Sequence, residues 1–143
     1  MKTARRWIKS LLDYLDECVD EKTRVEMLEN CGRNCISSSY IEKAKSCKDK
    51  AKDMDDFLSK LSKIWSSLQR EGDDVYVVYE KCYCPLGRTL LKDYADSLSS
   101  SFCNCGRGWI KELFESALER PVEAKLETSV IQGNAVCKFK VCL

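Results

Sequence analysis

Apolar side chains in the first half of the chain recur at spacings of three and four. Trp7, Ile8, Leu11, Leu12, Leu15, Cys18 and Val19 fall on one helical face, which predicts an amphipathic helix over residues 5–19. Thr23 and Glu26 have capping-box spacing and lead into Val25, Met27 and Leu28, so a second helix is expected from about residue 23 to Cys31 or Cys35. Tyr40 to Lys52 reads as a charged helix with a thin stripe of Ile41, Ala44, Cys47 and Ala51, its lysines forming a solvated face. Asp53 is placed to cap a fourth helix carrying Met54, Phe57, Leu58, Leu61, Ile64, Trp65 and Leu68, with Gly72 as its stop.

After Gly72 the period shortens. Val75 to Tyr79 is a β-branched and aromatic run and predicts a strand. Arg88 to Leu98 holds a short helix, and the serines at 99–101 suggest a loop. Gly106 and Gly108 precede a helix carrying Trp109, Ile110, Leu113, Phe114, Ala117 and Leu118, which Pro121 should end. Val122 to Ile131 and Val136 to Val141 alternate as two strands joined by a turn at Gly133-Asn134. The expected fold is α+β: N-terminal helices packed with a small antiparallel sheet and one long inserted helix. The expected organisation is one domain over residues 1–143, with a helical half at 1–72 and a strand-helix-hairpin half at 73–143.

Composition narrows the function classes. The chain of 143 residues has 24 Lys+Arg against 23 Asp+Glu, a net charge of +1 that offers no general attraction to nucleic acid or anionic lipid, so neither is an expected partner. No apolar run reaches the ~20 residues of a membrane span. Asp13, Asp16, Glu17 and Asp20 stand where a signal peptide would have its apolar stretch and cleavage site, so a cytoplasmic location is expected. Histidine is absent, which removes Cys-His, Ser-His and His-metal chemistry.

Ten cysteines remain, and six form three close pairs: Cys31 and Cys35, Cys82 and Cys84, Cys103 and Cys105. Thiols one to three residues apart can share a cation with little loop entropy, and each pair lies at the expected end of a helix or strand. The leading expectation is a thiolate metal site for zinc or an iron–sulfur cluster on these six residues, with two of them supporting or the centre polynuclear, because one zinc or one cubane needs four. The proposed helix N-terminus at Cys103 and Cys105, with Arg33 and Arg107 nearby, predicts depressed thiol pKa values. Two other readings stay open: dithiol–disulfide redox chemistry, and plain packing or a disulfide framework. Cys18 and Cys47 are expected in the core, Cys137 is expected to be a packed strand thiol that could line a pocket, and Cys142 is expected to be free.

Tyr76, Tyr79, Tyr83, Trp109 and Phe114 read as core between helix and sheet, or as the wall of a pocket for a flat ligand. Glu80 and Glu127 are strand carboxylates, read as solvated, that could otherwise act as a general base or orient one.

The half from Val75 to Leu143 resembles the 4-vinyl-reductase-like small-molecule-binding domains and the related L-2-amino-thiazoline-4-carboxylic acid hydrolase-like family. The residues that carry the likeness are Gly106-Arg107-Gly108-Trp109, Leu113-Phe114-Glu115, Pro121-Val122-Glu123, Glu127 to Gly133 and Cys137-Lys138-Phe139. Cys31 to Cys35 and Cys82-Tyr83-Cys84-Pro85-Leu86 look like a cysteine-rich bacterial and archaeal branch of that group. The resemblance implies an antiparallel sheet covered by helices, a ligand pocket between them, a homodimer, and a sensory or small-molecule-binding role, with cysteine metal sites in some relatives. It carries over no catalytic residue. A small enzyme, either a thiazoline-ring hydrolase or a thiol-dependent reductase using a cysteine thiolate, is the alternative function, and without histidine its general base would be a carboxylate or a thiolate.

Overall fold

A computed structural model describes residues 2–143. Four helices come first: α1 (Lys2–Cys18), α2 (Glu21–Cys35), α3 (Ser38–Asp49) and α4 (Met54–Ile64). They are followed by β1 (Leu68–Glu71), β2 (Asp74–Tyr79), α5 (Pro85–Tyr94), a 3-10 turn at Ser100–Phe102, α6 (Cys103–Leu118), β3 (Glu123–Thr128) and β4 (Cys137–Cys142). The four strands form one antiparallel sheet in the order β1-β2-β4-β3, and the fold is α+β as expected. No described helix is long and apolar enough to cross a membrane.

Local chemistry accounts for most boundaries. Helix α2 starts earlier than the Thr23–Glu26 spacing suggested, because Asp20 is the capping residue and its carboxylate accepts from the Thr23 N–H at 2.9 Å. Asp53 caps α4 as expected, accepting from the Asp56 N–H at 2.8 Å. The α4 helix stops at Ile64 and does not run on to Leu68. Ile64 is 51% exposed, whereas Leu68 is buried from a strand, where it stands opposite Val77. Gly72, read as a helix stop, instead turns the β1–β2 hairpin at φ +62°. The last hairpin forms as expected, with Gly133 at φ +90° between β3 and β4, but β3 ends at Thr128 and not at Ile131, residues 129–131 entering the turn.

Helix α6 is the centre of the molecule. It begins at Cys103, so Gly106 and Gly108 lie inside it and do not precede it. Its Ile110, Leu113, Phe114 and Ala117 join the main core with Phe57, Leu58 and Leu61 of α4, Val75 and Val77 of β2, and Phe139 and Val141 of β4. A second apolar cluster of Leu12, Leu15, Leu28, Leu90, Leu98 and Phe102 ties α1, α2 and α5 together. Cys47 is half-buried against the main core, whereas Cys18 is exposed at the end of α1, contrary to the expectation that both are core.

Helices α2 and α6 touch backbone to backbone. A Cβ on Gly32 would stand 1.7 Å from the Cys105 carbonyl oxygen, and one on Gly108 would stand 1.9 Å from that of Glu29. Charge flanks this contact. Glu29 pairs with Arg107 at 3.2 Å and Lys111 at 3.0 Å, and Arg33 pairs with Glu112 at 2.8 Å and Glu115 at 2.5 Å. Glu115 also accepts the Val122 N–H, which fixes the entry to β3. Glu29→Gln is expected to cost about 1–3 kcal/mol in urea denaturation, because two partly buried cations lose their carboxylate together.

Candidate functional site

The two apolar clusters meet at a cavity of about 200 Å³. Six thiols line it: Cys35, Cys82, Cys84, Cys103, Cys105 and Cys137. They arrive from the last turn of α2, the segment between β2 and α5, the first turn of α6 and the first residue of β4. Five of the six residues expected as metal ligands therefore share one cavity, although 68 residues separate Cys35 from Cys103 in the chain. Cys31 does not line it. It lies one turn before Cys35 on α2, exposed, where Gly32 brings the helix against the Cys105 carbonyl.

Aromatic rings close the walls. Tyr79 and Tyr83 stack with centroids 5.1 Å apart, and Trp109, Phe102 and Phe139 complete the lining. Tyr40 meets Trp109 edge to face at 5.4 Å from outside the cavity. Tyr79, Tyr83 and Trp109 thus line the cavity, Tyr79 and Trp109 packing on the main core as well, whereas Phe114 belongs to the core and Tyr76 lies under the Lys138 ammonium at 4.1 Å.

The inner thiols have defined partners. Cys103 Sγ and the Ser129 hydroxyl are 3.0 Å apart, and Ser129, fully buried, also accepts the Ile131 N–H. Cys137 Sγ accepts the Val130 N–H at 3.3 Å. The sequence offers no sign of Ser129, which looks like one more residue of an alternating strand; the bulge between Leu126 and Thr128 and the turn that follows swing it inward. Cys82 packs on Gly87, where a Cβ would come within 2.5 Å of its sulfur.

Three of the lining thiols, Cys82, Cys103 and Cys105, are shifted, and all three upward. Burial pushes Cys105 up to about 12 and Cys103 up to about 11; burial likewise raises Cys82, and neighbouring thiols add to each shift. The hydrogen bond from Ser129 offsets only part of the rise at Cys103. The expected depression fails because both nearby arginines are occupied. Arg33 is held by Glu115 and Glu112, and Arg107 donates to the Ala124 carbonyl at 2.6 Å and pairs with Glu29. In a low-dielectric wall the cost of desolvating a thiolate exceeds what the first turn of α6 returns.

Among the described residues, no three Cys, Asp or Glu side chains stand close enough as they are to hold a metal ion. Any thiolate centre in the cavity therefore requires the cysteines to rotate about their Cα–Cβ bonds toward it and to release their protons.

No curated protein matches this sequence. Its whole length, residues 1–143, matches the model described as "Family of unknown function (DUF6144)", and the chain belongs to that family.

Proposed function

We propose that the cavity holds a cysteine-ligated metal centre, zinc or iron–sulfur, and that the protein serves as a small-molecule-binding or sensory domain built around it. The observation that supports this reading is the convergence of six thiols from four separate segments on one half-open cavity. Soft sulfur donors without histidine or a facing carboxylate select soft or thiophilic cations over magnesium or calcium. Of the six expected ligands, Cys35, Cys82, Cys84, Cys103 and Cys105 line the cavity, with Cys137 in the same wall, while Cys31 lies outside it one turn away on α2. Because burial makes Cys82, Cys103 and Cys105 hold their protons more tightly, loading them exchanges protons for metal, and affinity rises with pH.

Elemental analysis of protein purified without oxygen tests this directly. Zinc or iron at one or more equivalents per chain is expected, and Co²⁺ added to metal-free protein should give the intense near-ultraviolet bands of thiolate ligation. Metal content near zero together with no Co²⁺–thiolate band sinks the proposal.

A second reading rests on the walls. The cysteine side chains and the rings of Tyr79, Tyr83, Phe102, Trp109 and Phe139 make an apolar space of about 200 Å³, the scale of a one- or two-ring molecule. An enzyme using Cys105 as nucleophile fits this space less well, because burial pushes that thiol up to about 12. If Cys105→Ser keeps its fold and metal but loses turnover of a thiazoline or disulfide substrate, the enzymatic reading replaces the sensory one.

A further inference from the structure

Helix α1 carries two apolar faces. Leu12 and Leu15 are buried against α2 and α5, while Trp7, Leu11 and Tyr14 are 67%, 42% and 61% exposed and form, with Ala4 and Cys18, a second stripe one quarter-turn away. We propose that a second copy of this chain covers that stripe, its own α1 lying antiparallel and centred on Leu11.

Three features of the stripe are symmetric about that centre to within one residue. Trp7 and Tyr14 lie on opposite sides of Leu11, as do Ala4 and Cys18, so an antiparallel partner sets large against large and small against small. A shallow hollow bounded by Thr3, Ala4, Trp7 and Ile8 then receives Tyr14 of the second copy. Arg6 and Glu17, both exposed, flank the stripe on the same side, eleven residues or three turns apart. In an antiparallel pair like flanks face each other, so Arg6 of each copy meets Glu17 of the other, whereas a parallel pair sets Arg6 against the opposite flank. Four other α1 charges are engaged within the chain: Arg5 with Asp93 at 2.9 Å, Lys9 with Asp13 at 2.6 Å, and Asp16 with Arg24 at 3.4 Å and Ser101 at 2.6 Å. An isologous contact of this kind closes as a dimer and propagates no further.

Sedimentation equilibrium of the full chain tests the proposal, with circular dichroism to check that each variant is folded. Wild type is expected to be dimeric at micromolar concentration. Trp7→Ser, on an exposed position, should make it monomeric. Arg6→Glu and Glu17→Arg, each setting like charges against each other twice, should each weaken the dimer by about tenfold or more, and the double variant Arg6→Glu/Glu17→Arg should restore it. A monomeric wild type overturns the proposal, as does a dimer indifferent to Trp7→Ser or left unrestored by the charge swap. Binding of a monomeric wild type to anionic phospholipid vesicles also overturns it and assigns the stripe to a membrane surface. None of these outcomes depends on what the thiol cavity binds.

Discussion

Gly108→Ala and Gly32→Ala are each expected to destabilise the protein by about 3 kcal/mol or more. Alanine would ordinarily help a helix, by about 1 kcal/mol over glycine at an interior position. Here the added carbon has no place. On Gly108 it would lie 1.9 Å from the Glu29 carbonyl oxygen, and on Gly32 it would lie 1.7 Å from the Cys105 oxygen and 2.9 Å from the Trp109 nitrogen. These neighbours are backbone atoms and cannot swing aside as a side chain could, so α2 and α6 must part. Parting also unseats the Glu29 and Arg33 ion pairs and draws the end of α2, with Cys35, away from Cys105. Gly106→Ala is the internal comparison: its nearest neighbour is the Phe139 ring edge at 3.2 Å, which can tilt, so its loss should be the smallest of the three. Urea denaturation measures all three. A Gly108→Ala protein as stable as wild type would show that helix propensity outweighs the contact.

The same glycines mark the limit of what the sequence reveals. Periodicity located the helices because a buried stripe repeats every three to four residues, and it located the last hairpin because Gly133-Asn134 interrupts two alternating runs. It extended α4 too far because Ile64, Trp65 and Leu68 satisfy a helical spacing, and only pairing with β2 makes Leu68 a strand residue. Gly106 and Gly108 look like a loop in sequence, since their use inside a helix depends on distant neighbours: Gly108 on α2 some 80 residues away, Gly106 on the Phe139 ring of β4. The convergence of the thiols was legible from their close pairs at element ends. Cys137 is the packed strand thiol the sequence suggested and does line the cavity, Ser129 joins the site through tertiary placement that no local pattern encodes, and Cys31 falls outside the cavity because α2 turns it to solvent. The ionisation of the thiols was misjudged for a related reason. Arg33 and Arg107 are close in sequence to cysteines, yet their charges are spent on Glu29, Glu112 and Glu115.

At neutral pH, Cys105 and Cys103 of the metal-free protein are expected to be alkylated far more slowly than the exposed Cys18 and Cys31. Only thiolate reacts, and its population falls tenfold for each unit by which the pKa is raised. Moving Cys105 from an ordinary value of 9.0 to about 12 lowers its thiolate fraction on the order of a thousandfold, and moving Cys103 to about 11 lowers it on the order of a hundredfold. Restricted access slows a buried thiol as well, so the pH profile is the discriminating readout. An iodoacetamide time course followed by peptide mass spectrometry should show the Cys105 rate still climbing above pH 10, where an ordinary thiol has levelled off. A Cys105 profile that levels near pH 9 would show the buried thiolate to be stabilised after all. Stability follows the same sign. The folded protein holds these protons more tightly than the unfolded chain, so their contribution is fully present below about pH 9 and is lost as the pH rises through 11 and 12. The proposed metal centre reverses that dependence, because a folded state that binds metal there does so in place of protons: zinc should then stabilise the protein more at pH 8 than at pH 6, and a chelator should restore the metal-free profile.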